Sequence, residues 1–464
     1  MNENKNVVKF YGGKFGPWIS MFFLIIAMFV AIMTNYTDFY IYNLLMLAAV
    51  VICFILIKNK KSFGDVAVRG LQDPMMAILI IAFMLAGILS KLLRASGLVS
   101  SLVWLSSAMN LDPSFIPVIA FMVCVLISTS CGTSSGSIVA VLPIMLPIGI
   151  ELGCDASLVT GAVISGALFG DNLAPISDTT IASALTQESK ISEVVRTRLP
   201  YSLIAGTISA ILFIIVGKIT VNTSVTSTIT QEANPLALIL LVVPIIMVIM
   251  MMKGWDLGGT LIICDVLAMV IILIFGLLTP SEVFGGDGPL IGGIYGMMDI
   301  IIFSIFIFIV IQTIRESGAL EELGVSLLKR CKNIRSVELI IMAASALGTT
   351  VTAGSSTGIL FAGPIANDIR KEFNIAGTRS ANLLDAIACA TCGFVPICTP
   401  YLLSLSIGAE IAGIPGDFSY ISIVKYAFHP IFLVLVFLAS TITGIGREYE
   451  WQRERKSIPV KDTN

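Results

Sequence analysis

Asp171, Asn172, Ser177, Asp178 and Thr179 crowd into the run Gly170-Asp171-Asn172-Leu173-Ala174-Pro175-Ile176-Ser177-Asp178-Thr179-Thr180. Apolar helix-forming sequence precedes this run from Ala156 to Phe169, and helix-compatible sequence follows it to about Glu188. A charged side chain at membrane depth costs about 2.5–3.5 kcal/mol on insertion scales, so two close together imply a use. Pro175 has no backbone donor and disturbs the turn before it, which releases carbonyls from the helix ladder. Released carbonyls beside carboxylates and hydroxyls make an oxygen-rich set suited to a hard cation or a proton. The run therefore reads as a broken transmembrane helix carrying half of an ion site. Asp171 and Asp178 are its candidate ligands for that metal cation or proton. A polar loop at a helix end is the plain alternative, since loops collect the same residue types.

The remaining chain must hold such a site in lipid. Of 464 residues 56% are hydrophobic and 12% charged, against about 25% charged in soluble proteins. The expected partner is thus the lipid bilayer. The net charge of −2 points to no nucleic-acid partner. The chain starts basic (Lys5, Lys9, Lys14) and is then apolar from Trp18 to about Thr34. That stretch is too long for a signal h-region and reads as a retained first helix. Nine cysteines lie mostly in apolar sequence. Cys389 and Cys392 form a CxxC without a second ligand pair, and read as small packing residues rather than a metal site. His429, the single histidine, has no nucleophile or metal set around it in the sequence. No enzymatic activity and no cofactor are expected.

Apolar runs fall at about 18–34, 40–57, 74–93, 114–130, 137–150, 156–187, 199–217, 235–252, 258–278, 297–314, 337–349, 358–368, 380–413 and 424–444. A hydrocarbon core of about 30 Å needs about 20 helical residues, and several runs are too short. The short ones pair up as 114–150 and 337–370, each around a Gly/Ser/Thr-rich tip that holds Ser134 and Ser135, or Ser355 and Ser356. Both pairs read as re-entrant hairpins, because irregular backbone at depth is tolerated only against protein or a wet cavity. The runs at 156–190 and 380–413 read as broken helices.

Positive charge tests the topology. With the amino terminus inside, these groups all fall on the cytoplasmic side: Lys58, Lys60, Lys61 and Arg69; Lys190, Arg196 and Arg198; Lys253; Lys329, Arg330, Lys332 and Arg335; Arg370, Lys371 and Arg379; Arg447, Arg453, Arg455 and Lys456. The loops at 219–234, 279–296 and 414–423 lack Lys and Arg and fall outside. This accounting gives an all-α polytopic membrane protein with ten crossings and both termini cytoplasmic. Lys91, Arg94 and Lys218 sit at outer ends as exceptions and are expected to snorkel.

One constant offset relates the two halves. Arg94 matches Arg315, Ser134 matches Ser355, Pro143 matches Pro364 and Pro175 matches Pro396, always at the same difference in numbering (315 − 94 = 221) and with no gap needed. The opening crossing of one copy runs outward and that of the other inward, so residues 1–217 and 235–446 read as inverted repeats, each with a hairpin and a broken helix. In the second break Cys392 replaces Asp171 and Thr399 replaces Asp178. Asp385 lies upstream of that break, where the first copy has Ile164. The cation or substrate set is therefore Asp171, Asn172, Ser177, Asp178 and Thr179 with Ser134, Ser135, Ser355, Ser356, Thr399 and Asp385. Close packing is the plain alternative for the hairpin serines, and a hydrogen-bonded packing role for Asp385.

The run Gly170–Thr180 resembles the motif of the NhaC family of sodium/proton antiporters, and the paired hairpins and breaks extend the resemblance over most of the chain. It implies a transporter of the cytoplasmic membrane of a bacterium, exchanging sodium and protons by an elevator movement, with Asp171, Asn172, Ser177, Asp178 and Thr179 at the site. The moving part would be 114–190 with 337–413, on a scaffold made of the remainder, and relatives suggest a homodimer. Related members carry carboxylates such as malate and lactate, or amino acids. A coupled carrier of a small carboxylate or amino acid is therefore the rival reading. The positive ends of the returning hairpin helices favour an anion, whereas no Arg lies in the breaks or tips to clamp one.

Overall fold

A computed structural model describes residues 8–34, 39–98, 100–101, 104–105, 112–175, 177–221, 234–253, 255–319, 333–411 and 413–450. Lys5, Lys329, Arg330, Lys332, Arg453, Arg455 and Lys456, read above as cytoplasmic or as part of the basic start, lie outside them, as does most of the 219–234 loop. Among the described residues the regular structure is helical, apart from two isolated β-bridges. Among the described residues, five helices are long and apolar enough to cross a membrane: Ser134–Glu151, Ala156–Leu173, Ile191–Thr220, Pro280–Glu316 and Ile334–Thr352. Six further apolar helices are shorter.

Two helix pairs are joined by only two residues each. Ile116–Cys131 turns through Gly132 and Thr133 into Ser134–Glu151, and Ile334–Thr352 turns through Ala353 and Gly354 into Ser355–Glu372. Both turns use a left-handed residue in the same place, Gly132 at φ 67° and Ala353 at φ 53°. Each turn is followed by a separated helix pair. Ala156–Leu173 gives way to Asp178–Thr186, and Gly377–Cys392 to Thr399–Ala409. The boundaries repeat at the offset seen in the sequence. Helices open at Ser134 and Ser355, Ala156 and Gly377, and Asp178 and Thr399. They close at the same spacing at Ala95 and Glu316, Cys131 and Thr352, and Glu151 and Glu372.

Local chemistry explains the ends. Asp155 caps Ala156–Leu173 by accepting from the N–H groups of Ser157 and Leu158, and Ser177 caps Asp178–Thr186 by accepting from Thr179. Such caps satisfy donors that the helix leaves free. Ala156–Leu173 then lies flat on Ile116–Cys131, because a Cβ at Gly170 would meet the backbone N of Thr129 at 2.6 Å. That close approach brings Asp171 beside the first hairpin tip.

Three expectations about charge change. Arg198 is not in a cytoplasmic loop; the helix starts earlier than the apolar run, at Ile191, and the arginine is wholly buried within it. Burial is possible because its Nε and Nη1 find partners on other helices. Lys91 and Arg94 do not snorkel freely: Lys91 Nζ pairs with Glu410 Oε2 at 2.6 Å, and Arg94 donates to the Glu410 carbonyl. Lys218 rests over the Phe115 ring, 5.5 Å from its centroid. Asp299 accepts from Asn43 at 3.2 Å.

Candidate functional site

One cavity of about 410 Å³ is lined by both hairpin tips and both breaks. Ser134 and Ser135 come from the first tip and Ser355 and Ser356 from the second. Asp171, Ser177, Asp178 and Thr179 come from the first break, and Cys392 and Thr399 from the second. Nine of the eleven residues singled out from the sequence thus share one chamber. The tertiary structure adds Trp255, Asp256, Ser304 and Arg315 on its far wall.

Asp171 is buried, and its surroundings are built from short-range geometry. Ser177 donates to Asp171 Oδ1 at 2.6 Å, and the Ser177 and Thr179 hydroxyls are 2.9 Å apart. Ser134 bonds the same carboxylate through its hydroxyl and its backbone N–H. Ser134 is the first residue of the returning hairpin helix, so the carboxylate faces the positive end of an 18-residue helix. Asp178 opens the second half-helix and is exposed to the chamber. A cation entering here would meet two carboxylates and the hydroxyls of Ser134, Ser177 and Thr179, the hard oxygen donors such an ion prefers.

Asn172 and Asp385 do not line the chamber. Behind its wall, Asp385 forms an ion pair with Arg198, both side chains having no exposed surface. Asp385 also accepts from Asn172 Nδ2 at 3.3 Å, Thr180 at 3.2 Å and Ser183 at 3.4 Å. Asn172 in turn accepts from Ser202 at 2.7 Å. The plainer alternative weighed above, a hydrogen-bonded partner inside the protein, fits this placement of Asp385 better than a ligand does. Cys389 is a packing residue that also donates to Asp385 Oδ1 at 3.2 Å, whereas Cys392 reaches the chamber. His429 is buried and stacks on Phe169 with centroids 4.4 Å apart.

The sequence missed Arg198 and Arg315. Arg198 directly precedes an apolar run, where its charge reads as a boundary marker. Arg315 was visible only as half of the repeat match, and its place on the chamber wall depends on how helix Met298–Glu316 packs. It donates to Asp73 Oδ2 at 3.1 Å.

Further pairs lie on the side that reads as cytoplasmic. Glu188, after the first break, bonds Lys371 at 2.6 Å and Asn367 at 3.0 Å. These two partners hold its carboxyl below the usual range. Among the described residues, no cluster of three or more His, Cys, Asp or Glu is placed to hold a metal.

Comparison with known proteins gives the following. The sequence model described as Na+/H+ antiporter family matches residues 8–218. The Malate-2H(+)/Na(+)-lactate antiporter of Bacillus subtilis is 28% identical over 157 residues, covering 34% of this chain and 33% of that protein. The Na(+)/H(+) antiporter NhaC of the same organism is 28% identical over 158 residues, 34% of each. The chain thus spans about a third of the length of these two relatives. The Na(+)/H(+) antiporter NhaC of Alkalihalophilus pseudofirmus is 23% identical over 416 residues, covering 84% of this chain and 87% of that one. Among solved structures, the Alcanivorax borkumensis YdaH transporter aligns with a TM-score of 0.40 and 10% identity, over 83% of this chain and 87% of that one.

Proposed function

We propose, from the premise that this chain belongs to the Na+/H+ antiporter family, that it exchanges sodium for protons across the cytoplasmic membrane of a bacterium. The observation that carries this reading is the Asp171 carboxylate, buried at a helix break and held by Ser134 and Ser177 on the wall of a chamber shared with Asp178. Protons and sodium compete for these carboxylates. A cation arriving from one side displaces the proton, the loaded unit changes access, and the reverse replacement occurs on the other side. Competition for one site gives exchange without a separate coupling device.

The recurrence of helix boundaries at one constant offset supports two copies of one plan, read as inverted repeats with ten crossings and both termini cytoplasmic. The moving part in this reading is larger than 114–190 with 337–413. Helices Ile191–Thr220 and Phe428–Thr443 pack on both broken helices, and the Arg198–Asp385 pair ties the first of them to the site. Breaking a buried ion pair in every cycle would cost several kcal/mol, so these helices travel with the breaks. The scaffold is then 16–95 with 235–316, and a homodimer through it is the assembly we favour.

The rival reading is a coupled carrier of a small organic anion. Its support is Arg315 on the chamber wall and the named activity of one relative, a Malate-2H(+)/Na(+)-lactate antiporter. One experiment separates the two. Purified protein in vesicles holding a pH-sensitive dye receives sodium alone. Proton movement without organic solute is expected. Silence until malate, lactate or an amino acid is added would transfer the assignment to the carrier. Asp171→Asn and Asp178→Asn are each expected to abolish the sodium-dependent signal while leaving the protein folded, and normal exchange in either removes that residue from the site.

A further inference from the structure

We propose that Arg198 and Asp385 are positioning residues that balance charge behind the cation site, so that the affinity for sodium at Asp171 is set by the pair rather than by either member. The inference rests on the exchange reading above, in which Asp171 binds the cation.

The geometry ties both halves of the first break to this pair. Arg198 donates to the backbone carbonyl of Asn172, before the break, and to Thr180 Oγ1 at 3.2 Å, after it. Its Nε donates to Asn382 Oδ1 at 3.1 Å on the second broken helix. Asp385, from that same helix, accepts from Asn172 and Thr180 in turn. The pair therefore bridges the first break, the second broken helix and the helix that carries Arg198, and it satisfies a carbonyl that the first break releases. Asn172 is the neighbour of Asp171 in sequence, which places the pair within electrostatic reach of the cation carboxylate.

Neither charge has a counterpart in the other copy: at the repeat offset, Asp385 corresponds to Ile164 and Arg198 to Ser419. The device belongs to the break that carries the carboxylates. Two opposite charges in contact nearly cancel at a distance, so the intact pair adds little to the field that Asp171, Asp178, Asp256 and Arg315 set in the chamber. A lone guanidinium cannot shed its proton. Removing Asp385 alone therefore leaves a permanent positive charge behind the site. The titratable groups that face the pair are Cys389, whose thiol donates to Asp385 Oδ1 at 3.2 Å, and Asp171, which lies within electrostatic reach of Asp385.

The test uses the full-length protein, with sodium binding read by thermal shift in detergent and exchange read separately in vesicles. Asp385→Asn is expected to raise the sodium concentration needed for half-saturation on the order of tenfold, and to shift the exchange profile toward acidic pH, because a nearby uncompensated positive charge favours the ionised carboxylate. The neutral double variant Arg198→Gln/Asp385→Asn is expected to return to within about threefold of the original affinity, as a pairwise cycle requires. Arg198→Gln alone must not weaken binding, and Arg198→Lys, which keeps the charge, stays near the original. The proposal is overturned if Asp385→Asn leaves affinity unchanged, if the double variant is as weak as Asp385→Asn, or if Arg198→Gln weakens binding. Should the single variants fail to fold, the double variant decides by itself: an affinity shifted beyond threefold refutes charge balance. Absence of exchange in the unaltered protein, with sodium binding intact, would instead count against the exchange reading.

Discussion

The two breaks share a backbone plan and differ in chemistry. At the first, a carbonyl released by the break, that of Asn172, is taken by the buried guanidinium of Arg198, and carboxylate and hydroxyls face the chamber. At the second, released carbonyls are taken by phenols: Tyr401 donates to Gly393 at 2.7 Å, and Tyr420 donates to Phe394. Cys392 stands where Asp171 stands, so the second wall carries no carboxylate from its break. A buried polar group must be satisfied at either site. Only the first is satisfied in a way that leaves ionisable oxygen facing the chamber. The difference shows that the same backbone break can stand with carboxylates facing the chamber or without them.

The comparison is broken most sharply by swapping attention between equivalent positions. Asp171→Asn should lower sodium-dependent exchange by more than about a hundredfold, since in the proposed exchange it removes a ligand and proton carrier. Cys392→Ser, at the matching place, should leave exchange within about threefold. Equal losses in vesicle assays would mean that the second break binds the ion too.

A second contrast lies below the hairpins. Glu338, with no exposed surface, bonds Arg379 at 2.8 Å and Arg447 at 2.7 Å. At the constant offset, Pro117 and Leu158 stand at the places of Glu338 and Arg379. Glu338→Gln leaves a buried guanidinium without its counter-charge, and should cost about 3–5 kcal/mol in thermal or denaturant unfolding. A cost under about 1 kcal/mol, the range of exposed pairs, would show that water reaches this pair.

The hairpin tips offer a smaller test. Gly132 tolerates its left-handed backbone, whereas Ala353 holds φ 53° against a Cβ penalty. Ala353→Gly should stabilise by about 1 kcal/mol and Gly132→Ala should destabilise by about the same. Unfolding shifts of the same sign for both would mean that contacts, not backbone strain, decide the tips.

The smallest effect belongs to Glu188, an exposed group held below its ordinary acidity range by Lys371 first and Asn367 second. Its folded form favours the charged carboxylate, so this contribution is present above the unfolded value and is lost as pH falls through the lower folded value. Lys371→Gln should remove a small stabilisation at neutral pH and make no difference in strong acid. A gap between the two proteins that widens on acidification would reverse the sign.

Much of the site was legible because periodicity and composition act locally. Asp171, Asp178 and the hairpin serines stand out as polar residues in apolar sequence, and the constant offset aligns both tips and both breaks without any structure. What stayed hidden depended on distance in the chain. Asn172 lies in the run that carries the family resemblance, yet its side chain turns to Ser202 and Asp385 rather than to the chamber. Lys91 and Arg94 break the charge rule when read alone, because their partner, Glu410, lies in the other half of the chain.

The sequence by itself determined that helices would form, where they would break, and which break would carry carboxylates, since each follows from hydropathy, proline and residue type over a few turns. Tertiary structure alone decided which acids face the chamber and which are neutralised behind it. That division is set by packing. Asp171 meets the start of a returning helix, whereas Asp385 meets a guanidinium brought in by another helix, and nothing in either residue's neighbours along the chain specifies that partner.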